Sequence, residues 1–273
     1  MSLFFQKPNM LKIELNEENF FTLTGCSLPL KLVLGCTGVY PFYSFTELRD
    51  NPRLHVIFVL TDLLQVNIVT DAVELERRFD FDNQIVRNEL FTLSIDKETG
   101  MGLIAFSSQL DYLMIAGVER MECKAAGTYG IRKIFSGYFV WPSYGWKPLP
   151  DGEKVYKNVL SRFGIDHEKF PTPNDLIRCE ELITFTSELE NQELTMTGRD
   201  IWLIYGESIE AYFDLTPNDD CMQRYKDYIL YKQAKLNLIL QAHNNEVNQL
   251  TENELKNVKH LLEFLNKRIQ LLF

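Results

Sequence analysis

Glu89–Ala126, ELFTLSIDKETGMGLIAFSSQLDYLMIAGVERMECKAA, is the stretch on which the fold turns. Glu89 to Ile95 (ELFTLSI) is a short apolar run of strand length. A polar loop, Asp96 to Thr99, follows it. From Gly100-Met101-Gly102 onward the apolar residues Leu103, Phe106, Leu110, Leu113 and Met114 recur at steps of three and four, which turns one face of a helix inward. Gly117 is placed to stop that helix. Val118 to Ala126 then alternates, with Met121, Cys123 and Ala125 on one phase and Glu122 and Lys124 on the other, the pattern of a half-buried strand. A strand–loop–helix–strand order of this kind normally makes a parallel pair with a right-handed crossover.

Working outward, Arg53 to Leu60 (RLHVIFVL) reads as a buried strand. Gly137 to Lys147 (GYFVWPSYGWK) is dense in aromatics around Pro142 and reads as a strand or turn at a sheet edge, because proline removes a ladder donor. Pro148, Pro150 and Gly152 break the chain there. The expected organisation is a domain over 1–150 and a mostly helical region over 151–273 that either folds alone or completes the first sheet. In the second part, Glu153 to Phe163 and Asp175 to Leu189 read as helices, and Ile209 to Leu215 (IEAYFDL) as a strand. The final helix begins at Thr251 with Glu254 three residues on, a capping box. Its stripe of Leu255, Val258, Leu262, Leu265, Ile269 and Leu272 suits packing on its own domain, or alternatively a homodimer seam. The fold class is therefore α/β (α+β), a mixed central sheet flanked by helices with a helical C-terminal extension.

Composition narrows the function. Aromatics make up 12% and charged residues 24%, which excludes disorder as the main state. The 28 Lys+Arg against 38 Asp+Glu give a net charge of −10, which argues against a bulk nucleic-acid binder that neutralises phosphates. The five cysteines show no CxxC spacing and the four histidines no HExxH spacing, so no metal site is expected. An odd cysteine count without a secretory start points to reduced thiols and a cytoplasmic location. No apolar run reaches the roughly 18 residues of a membrane span.

One constellation carries chemistry. Lys97-Glu98-Thr99-Gly100-Met101-Gly102 lies between the strand and the helix. The first helical turn leaves N–H groups without partners, the helix dipole adds partial positive charge, and glycine lets an anion approach the backbone. Strand, glycine loop and helix together make a phosphate cradle, to which Lys97 adds a charge. Three readings stand: a tight loop with no ligand; a dinucleotide site, since Gly100 to Ala105 matches GxGxxA and Glu122 lies about 20 residues on; and a coenzyme A site. Against the second, four polar residues separate the strand from Gly100.

The stretch LSIDKETGMG, the helix after it and the strand VERMECKAA resemble motif A of the GNAT acyltransferase superfamily, with Lys97, Gly100 and Gly102 at the positions of its Arg/Gln-x-x-Gly-x-Gly/Ala loop. The segment Tyr138 to Trp146 is similar to the aromatic element that lies after motif A in that family. The resemblance implies that acetyl-CoA or coenzyme A is held by Lys97, Thr99, Gly100, Met101 and Gly102 at its diphosphate. It implies that backbone groups over Leu93 to Ile95 pair with the pantetheine arm. It implies transfer of an acetyl or acyl group to an amine on a small molecule or protein. Glu89 would be the base, and Tyr144 or Tyr138 the acid, since the family's usual tyrosine position falls on Trp141. The alternative is the same fold used without catalysis, as a binding or assembly module.

Overall fold

The computed structural model describes residues 9–11, 17–51, 55–60, 63–94, 100–127, 137–187, 192–245 and 249–273. The chain divides into two units, Met1–Arg120 with Leu230–Phe273, and Met121–Ile229.

The first unit is built on an antiparallel meander. Strands β1 (Asn9–Leu11), β2 (His55–Leu60), β3 (Leu64–Val69), β4 (Val73–Asp80) and β5 (Ile85–Leu93) are neighbours in that order, and each successive pair is antiparallel. Period-two burial sets their faces: Leu64, Val66 and Ile68 of β3 and Val73, Leu75, Arg77 and Phe79 of β4 point inward. Thr70 closes the β3–β4 turn, its hydroxyl accepting from the Val73 N–H at 2.9 Å and from the Ala72 N–H at 3.2 Å. The strand read over Arg53 to Leu60 is β2, with 52–54 outside the described residues. The short helices α1 (Glu17–Thr24), α2 (Leu30–Gly35) and α3 (Phe45–Asp50) lie between β1 and β2, and they carry no strong period in the sequence.

Helix α4 (Met101–Ile115) runs as the periodicity predicts, with Leu103, Phe106, Leu110 and Leu113 buried. Met114 instead stands 39% exposed, and Gly117 ends the helix with a φ of 74°. Two features lock α4 to its neighbours. A Cβ on Gly35 would overlap the Tyr112 ring, so α2 and α4 approach as closely as they do only because residue 35 is glycine. The buried Gln109 donates to the Cys36 carbonyl at 3.0 Å and to Asn88 Oδ1 at 2.9 Å, tying α2, α4 and β5 together through groups that would otherwise be unsatisfied.

The strand read over Val118 to Ala126 is β6 (Arg120–Ala125), which enters the second unit. That unit contains α5 (Gly137–Ser143), β7 (Lys147–Pro148), α6 (Pro150–Ser161), α7 (Pro173–Ile177), β8 (Leu182–Ser187), β9 (Gln192–Thr197), α8 (Gly198–Tyr205) and β10 (Ile209–Asp214), with β10 between β6 and β7. Three expectations are corrected here. Gly137 to Lys147 is mainly helical: Pro142 sits in the last turn of α5, where it forgoes one i→i−4 bond, and its carbonyl accepts from Gly145 N–H at 2.9 Å and Asn174 Nδ2 at 2.7 Å. Asp175 to Leu189 is not one helix. The capping box at Thr172 starts the five-residue α7, and β8 then pairs antiparallel with β9. Alternating Ile183, Thr184, Phe185 and Thr186 favours that hairpin, and Phe185 is buried against Phe163 and Tyr205. Lastly, the break at Pro148, Pro150 and Gly152 is no boundary, because Gly152 presses α6 onto the Glu210 backbone inside the second unit.

Helix α9 (Asp220–Asn244) crosses from the second unit into the first, and α10 (Glu252–Leu272) closes the chain with the expected capping box at Thr251 and Glu254. The inward stripe of α10 packs within the first unit: Leu261, Leu262 and Leu265 are buried, and the 4%-exposed Arg268 donates through Nη1 to Asp111 Oδ1 at 2.5 Å and Oδ2 at 2.7 Å. The α/β class read from the sequence therefore holds, while the C-terminal helix is part of the first unit rather than an appendage. No helix among the described residues is long and apolar enough to cross a membrane.

Gly35→Ala is expected to destabilise the chain by about 1–3 kcal/mol, the usual range for overpacking. Urea unfolding measures it, and Tyr112→Ala in the same chain should relieve part of the loss. An unchanged midpoint for the single variant would refute the close α2–α4 approach.

Candidate functional site

The site is set by an irregularity in β5. Arg77 pairs with Asn88 and Glu76 with Leu90, so Glu89 is an extra residue in its strand, a β-bulge. The consequence is a change of phase. Before the bulge the inward residues of β5 are Val86 and Asn88. Past it, Phe91 lies opposite the buried Leu75, and Leu93 opposite the buried Val73, so the inward phase moves to odd-numbered residues. Phe91 and Leu93 are thereby brought against the start of α4, where a Cβ on Gly102 would lie 3.7 Å from Leu93 and 3.9 Å from Phe91.

Arg77 holds this bulge. It occupies the inward phase of β4 and is 1% exposed. Its Nη1 donates to the Leu90 carbonyl at 2.5 Å and to the Glu76 carbonyl at 2.9 Å, and its guanidinium lies 5.7 Å from the Phe91 ring centroid. A bulge interrupts the ladder, and the guanidinium supplies donors to carbonyls on both strands at the interruption. The sequence reading missed Arg77, although a signal existed: in VELERRFD it falls on the same alternating phase as Val73, Leu75 and Phe79.

Glu89 lies inside β5 rather than at its start, exposed, with Arg78 Nη1 at 3.4 Å. At the other end of the site, Gly100 caps α4 with φ 75° and ψ 4°, left-handed values that favour glycine. Its carbonyl accepts from Leu103 N–H at 3.0 Å and Ile104 N–H at 3.2 Å. Gly100, Met101 and Gly102 are all half-buried. The two glycines differ in their surroundings. A Cβ on Gly100 would meet Leu261 Cδ2 of α10 at 2.6 Å, so that flank of the helix start is covered by protein, whereas the Gly102 flank has only ordinary contacts.

Leu93, Gly100, Met101 and Gly102 thus gather at the β5–α4 junction. Ile95, Lys97 and Thr99 lie outside the described residues. Tyr138 and Tyr144 belong to the second unit, and the side chain of Tyr138 is not among those described. Tyr144 is buried in an aromatic cluster, its ring 6.0 Å from Trp141 and 5.0 Å from Tyr228. Burial, with Tyr228 and Tyr225 beside it, pushes its hydroxyl well above the ordinary phenol value. Its position is that of a core ring, not of an accessible acid. Among the described residues no three His, Cys, Asp or Glu side chains cluster to hold a metal. Comparison with protein-family models, curated proteins and solved structures returns no match for this chain.

Two measurements test this geometry. Gly100→Ala is expected to cost at least the roughly 1–2 kcal/mol of a left-handed residue with a Cβ, and more because of Leu261. Gly102→Ala should be neutral or stabilising by up to about 1 kcal/mol, as alanine for glycine in a helix. Equal denaturant midpoints for the two variants would contradict the assignment of a tight contact at Gly100 and an ordinary one at Gly102. The second concerns Cys36, whose carbonyl anchors Gln109. Burial, with Cys26 nearby, pushes its thiol from an ordinary 9.0 up to about 12. The folded state therefore holds the proton more tightly, so this contribution is complete below pH 9 and is lost as pH rises toward 12. Denaturant midpoints should fall across that window, and fall less in Cys36→Ala. An identical pH slope in both chains would show that the Cys36 thiol does not couple to folding.

Proposed function

We propose that the first unit binds the diphosphate of coenzyme A at the first turn of α4, and that the chain is a GNAT-like N-acyltransferase acting on an amine of a small molecule or protein. The observation that carries the reading is the half-buried Gly100-Met101-Gly102 turn, opening a 15-residue helix next to the bulged end of β5, with only ordinary van der Waals contacts at Gly102. The resemblance of LSIDKETGMG to motif A of that superfamily supports it. The fit is partial and specific. Leu261 confines the Gly100 side and Leu93 and Phe91 lie in ordinary contact beside Gly102, so the approach left to the diphosphate is along the backbone N–H groups of Met101 and Gly102.

Coenzyme A supplies the acyl group as a thioester. The chain's own residues supply the rest. Glu89 is the base the resemblance implies, to take the proton that the incoming amine loses, but β5 turns it to the face away from α4, so a water chain must connect it to an amine at the α4 side. Arg78 Nη1 lies 3.4 Å from the Glu89 carboxylate. Tyr144 is not used, because its ring is enclosed, so as the new carbon–nitrogen bond forms and the carbon–sulfur bond breaks the released thiolate takes its proton from water. The net charge of −10 suits a cationic acceptor by steering its approach.

A second reading, the same fold as a non-catalytic binding module, is favoured by one observation: Leu261 seals the Gly100 flank with a side chain of α10. A nucleotide at the same turn is the third.

Thermal unfolding with acetyl-CoA, coenzyme A, NAD or ADP separates them. A ligand at 100 times its dissociation constant adds about 2.7 kcal/mol of stability. Acetyl-CoA should raise the transition, and Gly102→Glu should abolish the rise while Gly102→Ala keeps it. Binding with no transfer to any amine acceptor would favour the module, and a shift by NAD or ADP alone the nucleotide. No shift at millimolar ligand would remove the site.

A further inference from the structure

We propose that Arg77 is the positioning residue of the β5–α4 site: it pins the Glu89 bulge, and through the bulge it selects which side chains of β5 line the start of α4. The inference rests on reading that junction as the acyl-CoA site, and goes beyond it by naming what sets its register.

Parity decides which side chains of β5 reach α4. Side chains alternate along a strand, so an extra residue at 89 exchanges the inward and outward sets beyond it. With the bulge, Phe91 and Leu93 face α4, and Glu89 and Leu90 share the outward side with Glu76. Without it, Leu90 and Thr92 would face α4, and Phe91 and Leu93 would turn outward. The site as described exists in only one of these registers. The bulged register interrupts the ladder at Glu76 and Leu90, and both of those carbonyls accept from the Arg77 guanidinium. A guanidinium suits this task because it carries five N–H donors in a fixed plane and stays protonated at any physiological pH. Its stacking distance from Phe91, 5.7 Å, adds a contact that only the bulged register provides. In the slipped register that ring would lie on the opposite face. Burial completes the argument: a 1%-exposed charge in a strand is retained at a desolvation penalty, and the carbonyls of the bulge offset it.

The role is separable from general stability, because register is directly observable. In labelled protein, cross-strand Hα and amide nuclear Overhauser effects report whether Leu75 faces Phe91 or Leu90. Arg77→Met keeps a long apolar side chain and removes every donor, and Arg77→Lys keeps the charge and three N–H donors on one flexible ammonium. We expect Arg77→Met to lose the Leu75–Phe91 pairing and to weaken acetyl-CoA binding by calorimetry about tenfold or more, the scale of one charged hydrogen bond. Arg77→Lys should keep the pairing and bind within about threefold of the parent. Should Arg77→Met fail to fold, Arg77→Gln replaces it, a neutral donor that reaches one carbonyl at most, with a mixture of the two pairings expected. An unchanged Leu75–Phe91 pairing in the Met or Gln variant overturns the inference whatever the ligand does. A changed pairing with unchanged acetyl-CoA affinity overturns the link to the site. Failure of the parent chain to bind acetyl-CoA removes the acyl-CoA reading instead, and leaves the register result standing as a separate outcome.

Discussion

The contact of the Arg77 guanidinium with the carbonyls of Glu76 and Leu90 is the constraint from which the first unit follows. Antiparallel ladders are periodic, and a single inserted residue is the smallest change that reverses their faces. At Glu89 that reversal lets β5 serve two tasks. Its first half offers Asn88 to the buried amide network with Gln109 and the Cys36 carbonyl. Its second half offers Phe91 and Leu93 to the opening of α4. A regular strand would satisfy one of these and lose the other. A buried charge is a costly means of securing this, and it is justified where its loss would leave main-chain groups unsatisfied.

Around that strand, α4 is held by close approach and by charge. Glycine at 35 lets the Tyr112 ring sit against the α2 backbone, and Leu261 sits against Gly100 in the same manner from α10. The Asp111–Arg268 pair fastens the two long helices near their C-terminal ends. Arg268 is almost wholly buried while Asp111 keeps part of its side chain in water, which reduces the desolvation penalty of the pair. The helix start that attracts attention for its chemistry is thus also a packing surface, tightly covered at Gly100 by Leu261 and in ordinary contact with Leu93 and Phe91 at Gly102.

The second unit shows how a polar hub can organise short elements. Arg224 of α9 donates through Nη1 to Thr172, Asn174 and Asp175, at 3.0, 3.2 and 2.6 Å, and through Nε to Asp220 at 2.8 Å. Gly145 passes close enough that a Cβ would meet the Cys221 carbonyl at 2.8 Å. The short α7, the turn after α5 and the start of α9 are each too small to bury much apolar surface alone, and this network joins two of them. The same hub explains why the aromatic run around Pro142 is helical: the Pro142 carbonyl is taken by Asn174, itself an Arg224 partner.

Local patterning was sufficient for the elements whose partners are unremarkable. The three- and four-step apolar spacing of α4, the alternation of β6 and β10, the capping box at Thr251 and the stop at Gly117 are all nearest-neighbour properties of the chain. So was the glycine turn at 100–102, since left-handed backbone and close approach are demands that glycine alone meets cheaply. Tertiary structure decided the rest. The Glu89 bulge depends on a donor from the neighbouring strand, and Tyr144 became a core ring because Tyr228, 84 positions away by number, folds over it. The helix read over Asp175 to Leu189 gave way to a hairpin because β9 supplied the ladder. Leu261 reached Gly100 only once α10 docked. Propensity acts within a few residues and is legible in order along the chain. Register, burial and the closing of a flank are set by atoms far apart in sequence, and they exist only after those atoms meet.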